Sequence, residues 1–307
     1  ALIVTIAVVA ACGNHTRKNA IPDAQLQTAS ISGMEEIRYV PSTKAGVKSY
    51  LEEIKSAVAK RPQDPSRQTN LLALSGGGDN GAFGAGLLVG WTQRGDRPVF
   101  DQVTGISTGA LIAPFAFLGP DYDPSLKTLF TEVSPDDIYR ERGKLGVLFN
   151  DALADAAPLK RLIDKTVDTV MLKRVAEEYQ LRGRLLLIGT TNIDSGSLVL
   201  WNMGRIAAVG TPESAALFRN VMLASAAVPG AFPPVLFDAE VNGREYHELH
   251  VDGGLAAQVY LYPSAVSKVA IQSGIIKSRK REAYIIRNAR LSIGWEETER
   301  NGLGVLN

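Results

Sequence analysis

The sequence predicts an α/β fold in which helices cover a mostly parallel sheet. Two successive segments, residues 70–93 and 103–118, support this prediction, because each is typical of a buried strand, a glycine-containing turn and a helix. Successive strand–helix units of this kind build parallel sheets. The third observation is size, because 307 residues, of which 45% are hydrophobic, can bury one large core.

The first unit begins with an apolar run at residues 70–75, which is typical of a buried parallel strand. A glycine loop at residues 76–81 follows, and then a helix predicted over residues 82–93, whose small glycines would let it lie close to the sheet. Before this unit, the spacing of apolar residues predicts an amphipathic helix between Val47 and Val58.

The second unit contains Ser107 in a turn between a strand and a helix, flanked by Gly105 and Gly109. A sharp turn at this place puts a serine in a strained backbone and presents its hydroxyl for attack on a substrate. Side chains at the two glycine positions would collide with the neighbouring strand and helix. The pattern therefore predicts Ser107 as a nucleophile.

The remaining elements alternate between helix and strand patterns. In order, the sequence predicts a helix at residues 158–180, a strand at 184–191, a partner strand at 197–202, a helix at 212–227, hairpin strands at 235–237 and 245–251, a helix at 264–276 and a strand at 282–287. The hairpin turns at Asn242-Gly243, a strong two-residue turn signal. Its second strand leads directly into Asp252-Gly253-Gly254.

Three motifs follow one another along the chain: the glycine loop, the serine turn and the sequence Asp252-Gly253-Gly254. In this order they resemble the patatin-like phospholipase family. Residues 190–201 and 224–234 are also similar to sequences of that family, and the resemblance extends over residues 71–263.

The resemblance implies a three-layer α/β/α fold with a mostly parallel central sheet, and hydrolysis of acyl esters in lipids. It implies a Ser–Asp dyad, in which Ser107 is the nucleophile and Asp252 the base. The backbone amides of a glycine loop can approach a substrate closely and hold an oxyanion. The predicted oxyanion hole consists of Gly76, Gly77 and Gly78, and the other motif glycines are Gly81, Gly105, Gly109, Gly253 and Gly254.

A histidine base is the rival to Asp252. The chain has three histidines, His15, His247 and His250, and none of them follows Asp252, so the Ser–Asp–His order of α/β-hydrolases cannot be built around that aspartate. His250 precedes Asp252 by two positions and could face the same side of a strand, so an imidazole near the site stays an alternative. For Asp252 to act alone, burial should raise its pKa.

Charge and ligand spacing exclude several other classes of protein. Lys plus Arg number 33 and Asp plus Glu 32, so we expect no nucleic-acid partner. The chain has one cysteine, which excludes an internal disulfide and a cysteine metal site. Histidines and carboxylates also lack the spacing of metal ligands, so we expect hydrolysis without a metal or cofactor.

Two other functions stay open. Residues 76–81 also satisfy the Gly-x-Gly-x-x-Gly spacing of dinucleotide-binding loops, with Asp101 about twenty residues farther on, where a ribose-binding acid could stand. That acid should end a strand, whereas Asp101 begins one. The other alternative is a surface lipoprotein that keeps the fold and binds partners without turnover.

The N-terminal region predicts a lipid anchor. Residues 1–11 are almost continuously apolar but too few to span a bilayer, and the small residues before Cys12 resemble a bacterial lipobox. We therefore expect a lipoprotein of the bacterial cell envelope, lipidated at Cys12, with membrane lipids or other acyl esters as substrates. The predicted divisions are a signal peptide at 1–12, a polar tether at 13–46, a helix and loop at 47–70, the phospholipase domain at 71–290 and an incomplete C-terminal segment at 291–307.

Overall fold

The structure is a computed structural model. It describes residues 17–138, 140–141, 152–263, 266 and 280–289, apart from residues 18, 23–24, 27, 32, 63 and 65. The predicted lipidation site Cys12, the histidine His15, the segment 291–307 and all of the predicted helix 264–276 except residue 266 lie outside the described residues.

The seven predicted strands are present in the predicted order, and the structure adds four two-residue strands that were not predicted. In the described part they are β1 (Ser30–Ile31), β2 (Arg38–Tyr39), β3 (Thr69–Leu74), β4 (Gln102–Ile106), β5 (Arg140–Glu141), β6 (Ala154–Asp155), β7 (Leu185–Asn192), β8 (Ser197–Asn202), β9 (Val235–Val241), β10 (Arg244–Asp252) and β11 (Arg281–Ile286). Asn242 and Gly243, between β9 and β10, both have positive φ, as the predicted two-residue hairpin turn requires.

The helices are α1 (Lys44–Lys60), α2 (Gly81–Arg94), α3 (Thr108–Leu118), α4 (Asp123–Thr131), α5 (Pro135–Ile138), α6 (Ala157–Thr166), α7 (Thr169–Arg182), α8 (Met203–Val209) and α9 (Pro212–Ser225), counted over the described residues. Short 3₁₀ turns cover Gly78–Asn80, Pro120–Tyr122 and Gly253–Leu255. Within this same part of the chain, no helix is long and apolar enough to cross a membrane.

The centre of the main sheet is parallel, as predicted. Strands β11, β3, β4 and β7 lie side by side in that order and run in the same direction. β10, β9 and β1 continue the sheet in antiparallel pairs, β8 pairs antiparallel with β7, and β2 pairs with β8. β5 and β6 form a separate small ladder.

Helices cover both faces of this sheet. Successive side chains of a strand point to opposite faces, and β7 shows the division clearly. Leu186 and Ile188 belong to the larger core, which also contains side chains of α2, α3 and α9. Leu187 lies in a smaller core with Tyr50 and Leu51 of α1. The result is the predicted α/β/α arrangement.

Strands β4 and β10 share one edge of β7. Ile106, the last residue of β4, pairs with Gly189, and Asp252, the last residue of β10, pairs with Thr190. The other edge of β7 is occupied by β8 at both positions. Because a strand has only two edges, β4 and β10 lie on the same one, and their carboxyl ends meet head to head between Gly189 and Thr190.

Helices α4 and α5 were not predicted from the sequence, and the structure differs from the predictions in two further helical regions. The helix predicted over residues 158–180 is divided into α6 and α7, because the Asp168 carboxylate accepts a hydrogen bond from the Met171 amide and begins a new helix. Helix α8 was not predicted; it begins at the Asn202 cap and ends at Gly210 in a left-handed conformation.

The expected tether also differs from the structure. Within residues 13–46, the described part contains β1, β2 and the start of α1. The apolar side chains of Ile31, Ile37 and Tyr39 are buried, and Arg38 forms an ion pair with Glu248 of β10. These contacts make the described residues from Ser30 to Thr43 part of the folded domain, because scattered apolar residues of this polar segment pack against residues that are distant in the sequence.

Candidate active site

Ser107 stands at a sharp turn between β4 and α3. Its backbone has φ 54° and ψ −127°, a combination that residues other than glycine rarely adopt. The flanking glycines permit the turn: a Cβ on Gly105 would lie 2.5 Å from the Gly109 carbonyl oxygen, and a Cβ on Gly109 would overlap the Leu74 carbonyl. The predicted strand–turn–helix geometry is therefore present, with Ser107 only 7% exposed.

Asp252 lies beside Ser107, at the carboxyl end of β10. Its side chain is buried, and Oδ1 accepts a hydrogen bond of 2.7 Å from the Gly254 amide. Oδ2 is also buried and has no hydrogen-bond partner among the described residues. Burial raises the pKa of Asp252, and the nearby Ser107 hydroxyl and the hydrogen bond from the Gly254 amide oppose this rise. The site thus combines a partly desolvated carboxyl group with a nearby hydroxyl.

The glycine loop approaches Ser107 from β3. A Cβ on Gly76 would lie 3.0 Å from Ser107 Cβ and 3.6 Å from Ser107 Oγ, so the backbone of Gly76 is in contact with the serine. The Gly76 amide donates a 3.0 Å hydrogen bond to the Gln258 carbonyl. The amides of Gly77 and Gly78 have no acceptor in the described part of the chain. Of the three predicted oxyanion donors, these two are free.

Two residues that the sequence did not reveal hold this loop. Gln258 accepts from the Gly76 amide and donates from Nε2 to the Gly254 carbonyl, at 3.2 Å, so it joins the glycine loop to the turn after Asp252. Asn288 donates from its backbone to Ser75 Oγ and from Nδ2 to the Ser75 carbonyl, at 2.8 and 2.9 Å. Neither residue lies in a recognisable motif, and both act through contacts distant in sequence.

Three other motif glycines are required by close approach. A Cβ on Gly81 would overlap the Thr108 hydroxyl, and one on Gly253 would overlap the Gly189 carbonyl. A Cβ on Gly254 would lie 2.9 Å from Asp252 Oδ1. The motif glycines therefore allow α2, the serine turn and the Asp252 turn to pack against one another.

His250 is not placed to act as a base. It is fully buried, and its two ring nitrogens lie 2.8 Å from Thr190 Oγ1 and 3.0 Å from Glu248 Oε2. Because the Glu248 carboxylate can only accept, His250 Nε2–H donates to it; in the neutral ring Nδ1 then accepts from the Thr190 hydroxyl, which itself accepts from Trp201 Nε1. Burial lowers the pKa of His250. Both nitrogens are thus engaged in a structural network, and His247 instead faces Asp238.

The nucleotide-binding alternative is not supported at Asp101. Its side chain is buried, accepts a 3.0 Å hydrogen bond from the Asn70 amide and forms an ion pair with Arg67. The strands β3 and β4 are parallel. Asp101, at the start of β4, therefore lies at the amino-terminal end of these strands, whereas the glycine loop follows the carboxyl-terminal end of β3. Within the described ranges, no group of three or more possible metal ligands is present either.

Comparison with models of protein families agrees with these features. Residues 72–262 match the family model described as patatin-like phospholipase. Among solved structures, VipD from Legionella pneumophila is similar, with 14% sequence identity, a TM-score of 0.41, and coverage of 71% of this chain and 49% of that one. This chain thus spans about half the length of VipD. No curated protein sequence matches it. Since the family model covers more than half of its residues, the chain belongs to the patatin-like phospholipase family.

Proposed function

We propose that this protein hydrolyses carboxylic esters of lipids through a Ser107–Asp252 dyad and an acyl-serine intermediate. Membership of the patatin-like phospholipase family supports lipid acyl hydrolysis at the level of the family. The observation that carries the finer proposal is the head-to-head meeting of β4 and β10, which ends in Ser107 on one side and Asp252 on the other. Oδ2 of Asp252, which is buried and has no hydrogen-bond partner among the described residues, is the proposed proton acceptor.

In the first half of the reaction, Ser107 Oγ attacks the ester carbonyl carbon while Asp252 Oδ2 takes its proton. The carbonyl π electrons move to the oxygen, and the free amides of Gly77 and Gly78 stabilise the resulting oxyanion. Collapse of this intermediate breaks the bond to the alcohol, which leaves with the proton held by Asp252. An acyl group remains on Ser107.

In the second half of the reaction, a water molecule is the nucleophile in place of the Ser107 hydroxyl. Asp252 takes a proton from the water as its oxygen attacks the acyl carbon, and collapse releases the fatty acid and returns the proton to Ser107 Oγ. The raised pKa of Asp252 suits both halves, because a carboxylate with its ordinary pKa is a weak base toward a hydroxyl.

The test is product analysis on phosphatidylcholine and phosphatidylglycerol vesicles. Wild type should release free fatty acid and lysophospholipid, detected by mass spectrometry, whereas Ser107→Ala should release neither. Ser214→Ala is the matched control, because it removes a buried hydroxyl of α9 that bonds only with Thr211. A wild type that is folded yet cleaves neither these lipids nor soluble acyl esters would favour a non-catalytic lipoprotein.

The proposal extends to location at a membrane of the bacterial envelope, supported by the lipobox-like sequence that ends in Cys12. An acyl chain on this residue would hold the protein where its substrates lie. Cys12→Ser should move the protein to the soluble fraction after a high-salt wash, while wild type stays with the membrane. A Cys12→Ser protein that stays with the membrane would contradict the anchor.

A further inference from the structure

The carboxyl-terminal turn of α9 contacts both sides of the candidate site. Ser225, the last residue of α9, and Ala227 are buried. Ser225 Oγ accepts a 3.0 Å hydrogen bond from the Ser107 amide and donates one of 2.6 Å to the Gly189 carbonyl. The Ala227 carbonyl accepts a 2.9 Å hydrogen bond from the Asp252 amide. The end of α9 and the residue two positions beyond it therefore bind the backbone of Ser107, of Asp252 and of Gly189 in the adjacent strand β7.

These contacts satisfy backbone groups that the sheet leaves open. Where β4 and β10 end against each other, neither strand continues along the edge of β7. The Ser107 amide, the Asp252 amide and the Gly189 carbonyl lie at this junction, and buried groups of this kind need partners. Ser225 and Ala227 supply the hydrogen-bond partners of all three groups.

The junction leaves little room for adjustment. A Cβ on Gly189 would overlap Ile106, and one on Gly253 would overlap the Gly189 carbonyl. Ser107 also holds a backbone conformation that persists only when its surroundings impose it. The Ser107 carbonyl accepts a hydrogen bond from the Ala110 amide of α3, and the Ser107 amide donates one to the Ser225 hydroxyl. Both backbone groups of Ser107 are therefore held by hydrogen bonds.

We propose that Ser225 is a positioning residue, which fixes the backbone of Ser107 relative to Asp252 and so sets the distance over which the proton moves. This inference rests on the proposed function and deepens it. It also gives a physical role to Ser225 and Ala227, which the hydrolysis mechanism itself does not use. Ser225 contacts the backbone of the nucleophile and does not touch the substrate.

The main variant is Ser225→Ala, which removes both bonds and adds no atoms. Loosening the dyad should lower kcat for a soluble acyl ester by about 10- to 100-fold, since small misplacements of reacting groups cost about this much. KM should stay unchanged, because substrate contacts are kept. The rate of labelling by a fluorophosphonate should fall in parallel. Ser225→Thr keeps the hydroxyl and should regain most of the lost rate.

Ser214→Ala controls for a loss of helix stability. Ser214 is buried in the first turn of the same helix, about 16 Å from Ser225 along the axis, and its hydroxyl bonds with Thr211 only. It should lower the melting temperature without lowering kcat. Ser225→Cys keeps the shape of the side chain, with a larger sulfur atom and weaker hydrogen bonds, so it provides the same test if the alanine variant does not fold; it should be slower than wild type at unchanged KM.

The outcomes separate this inference from the proposed function. If wild type is labelled at Ser107 but kcat of Ser225→Ala or Ser225→Cys is no lower than that of Ser214→Ala, the positioning role is overturned and the proposed function is not. A threonine variant as slow as the alanine variant leads to the same conclusion. A wild type that neither hydrolyses esters nor reacts with the probe overturns both. A fall in kcat confined to the Ser225 variants, with rescue by threonine, supports the inference.

Discussion

Ser107 directly follows β4 and Asp252 is the last residue of β10, and these two strands meet head to head along one edge of β7. The strand β4 runs parallel to β7 and stops opposite Gly189, while β10 runs in the other direction and stops opposite Thr190. Residues separated by more than a hundred positions are thereby brought together by strand register alone. The proximity of the hydroxyl and the carboxyl group is thus a property of the whole sheet.

The pH dependence of activity should follow the pKa of Asp252. Only the ionised carboxylate can accept the serine proton, so kcat/KM should fall as the pH is lowered through this pKa. Because burial raises the pKa of Asp252, the fall should begin above the ordinary value of about 3.9 for aspartate. The measurement is kcat/KM for a soluble ester against pH, and a flat profile down to the ordinary value would contradict it.

Asp252→Asn should stabilise the fold at neutral pH. A carboxyl group whose pKa is raised on folding contributes stability below its unfolded pKa and loses that contribution as the pH rises through the folded pKa. The buried charge therefore destabilises wild type at neutral pH, and asparagine removes it while its Oδ1 can still accept from the Gly254 amide. Thermal unfolding at several pH values should show a higher melting temperature for the variant, with a difference that shrinks in acid. A variant less stable than wild type at neutral pH would argue against a desolvated carboxylate.

Gly77→Ala should disrupt the glycine loop and lower activity. A Cβ at this position would overlap the backbone carbonyl of Asn288, which cannot move without displacing the end of β11. Gly86→Ala is the matched control, because this exposed position in α2 has open space around a new Cβ. It should raise stability by about 0.5–1 kcal/mol, as alanine favours helix over glycine. Equal activity in the two variants would show that the loop conformation is not needed.

His250→Gln should reduce stability and leave the chemistry intact. The substitution breaks bonds to Thr190 and Glu248 in a fully buried network, which should cost about 1–3 kcal/mol of unfolding free energy. The fluorophosphonate labelling rate of the folded protein should stay close to that of wild type. Denaturant titration measures the change in stability, and labelling kinetics measure the effect on the chemistry. A stable variant that is no longer labelled would support His250 as the base.

The features that sequence predicted are those set by local conformation. The Ser107 turn, the hairpin at Asn242-Gly243, and the strand and helix that flank the glycine loop follow from turn chemistry and from runs of apolar residues. These signals depend on neighbours a few positions apart. The motif order then indicated which turns belong to one site.

The features that sequence did not predict depend on distant partners. Ser225, Gln258 and Asn288 are ordinary residues in their local context, and their importance appears only when the sheet brings them to Ser107 and the glycine loop. The division between α6 and α7 had a local signal, the capping Asp168, which the continuing apolar pattern concealed. Asn202 and Gly210 likewise mark α8, although the segment is short.

The most direct test of the dyad is mass spectrometry of the protein after reaction with a fluorophosphonate. A single adduct should appear on the peptide that contains Ser107, and Ser107→Ala should abolish it. Asp252→Asn should slow its formation by about 10²- to 10⁴-fold, the usual contribution of a general base. An adduct on another residue, or labelling of folded Asp252→Asn at the rate of wild type, would contradict the dyad.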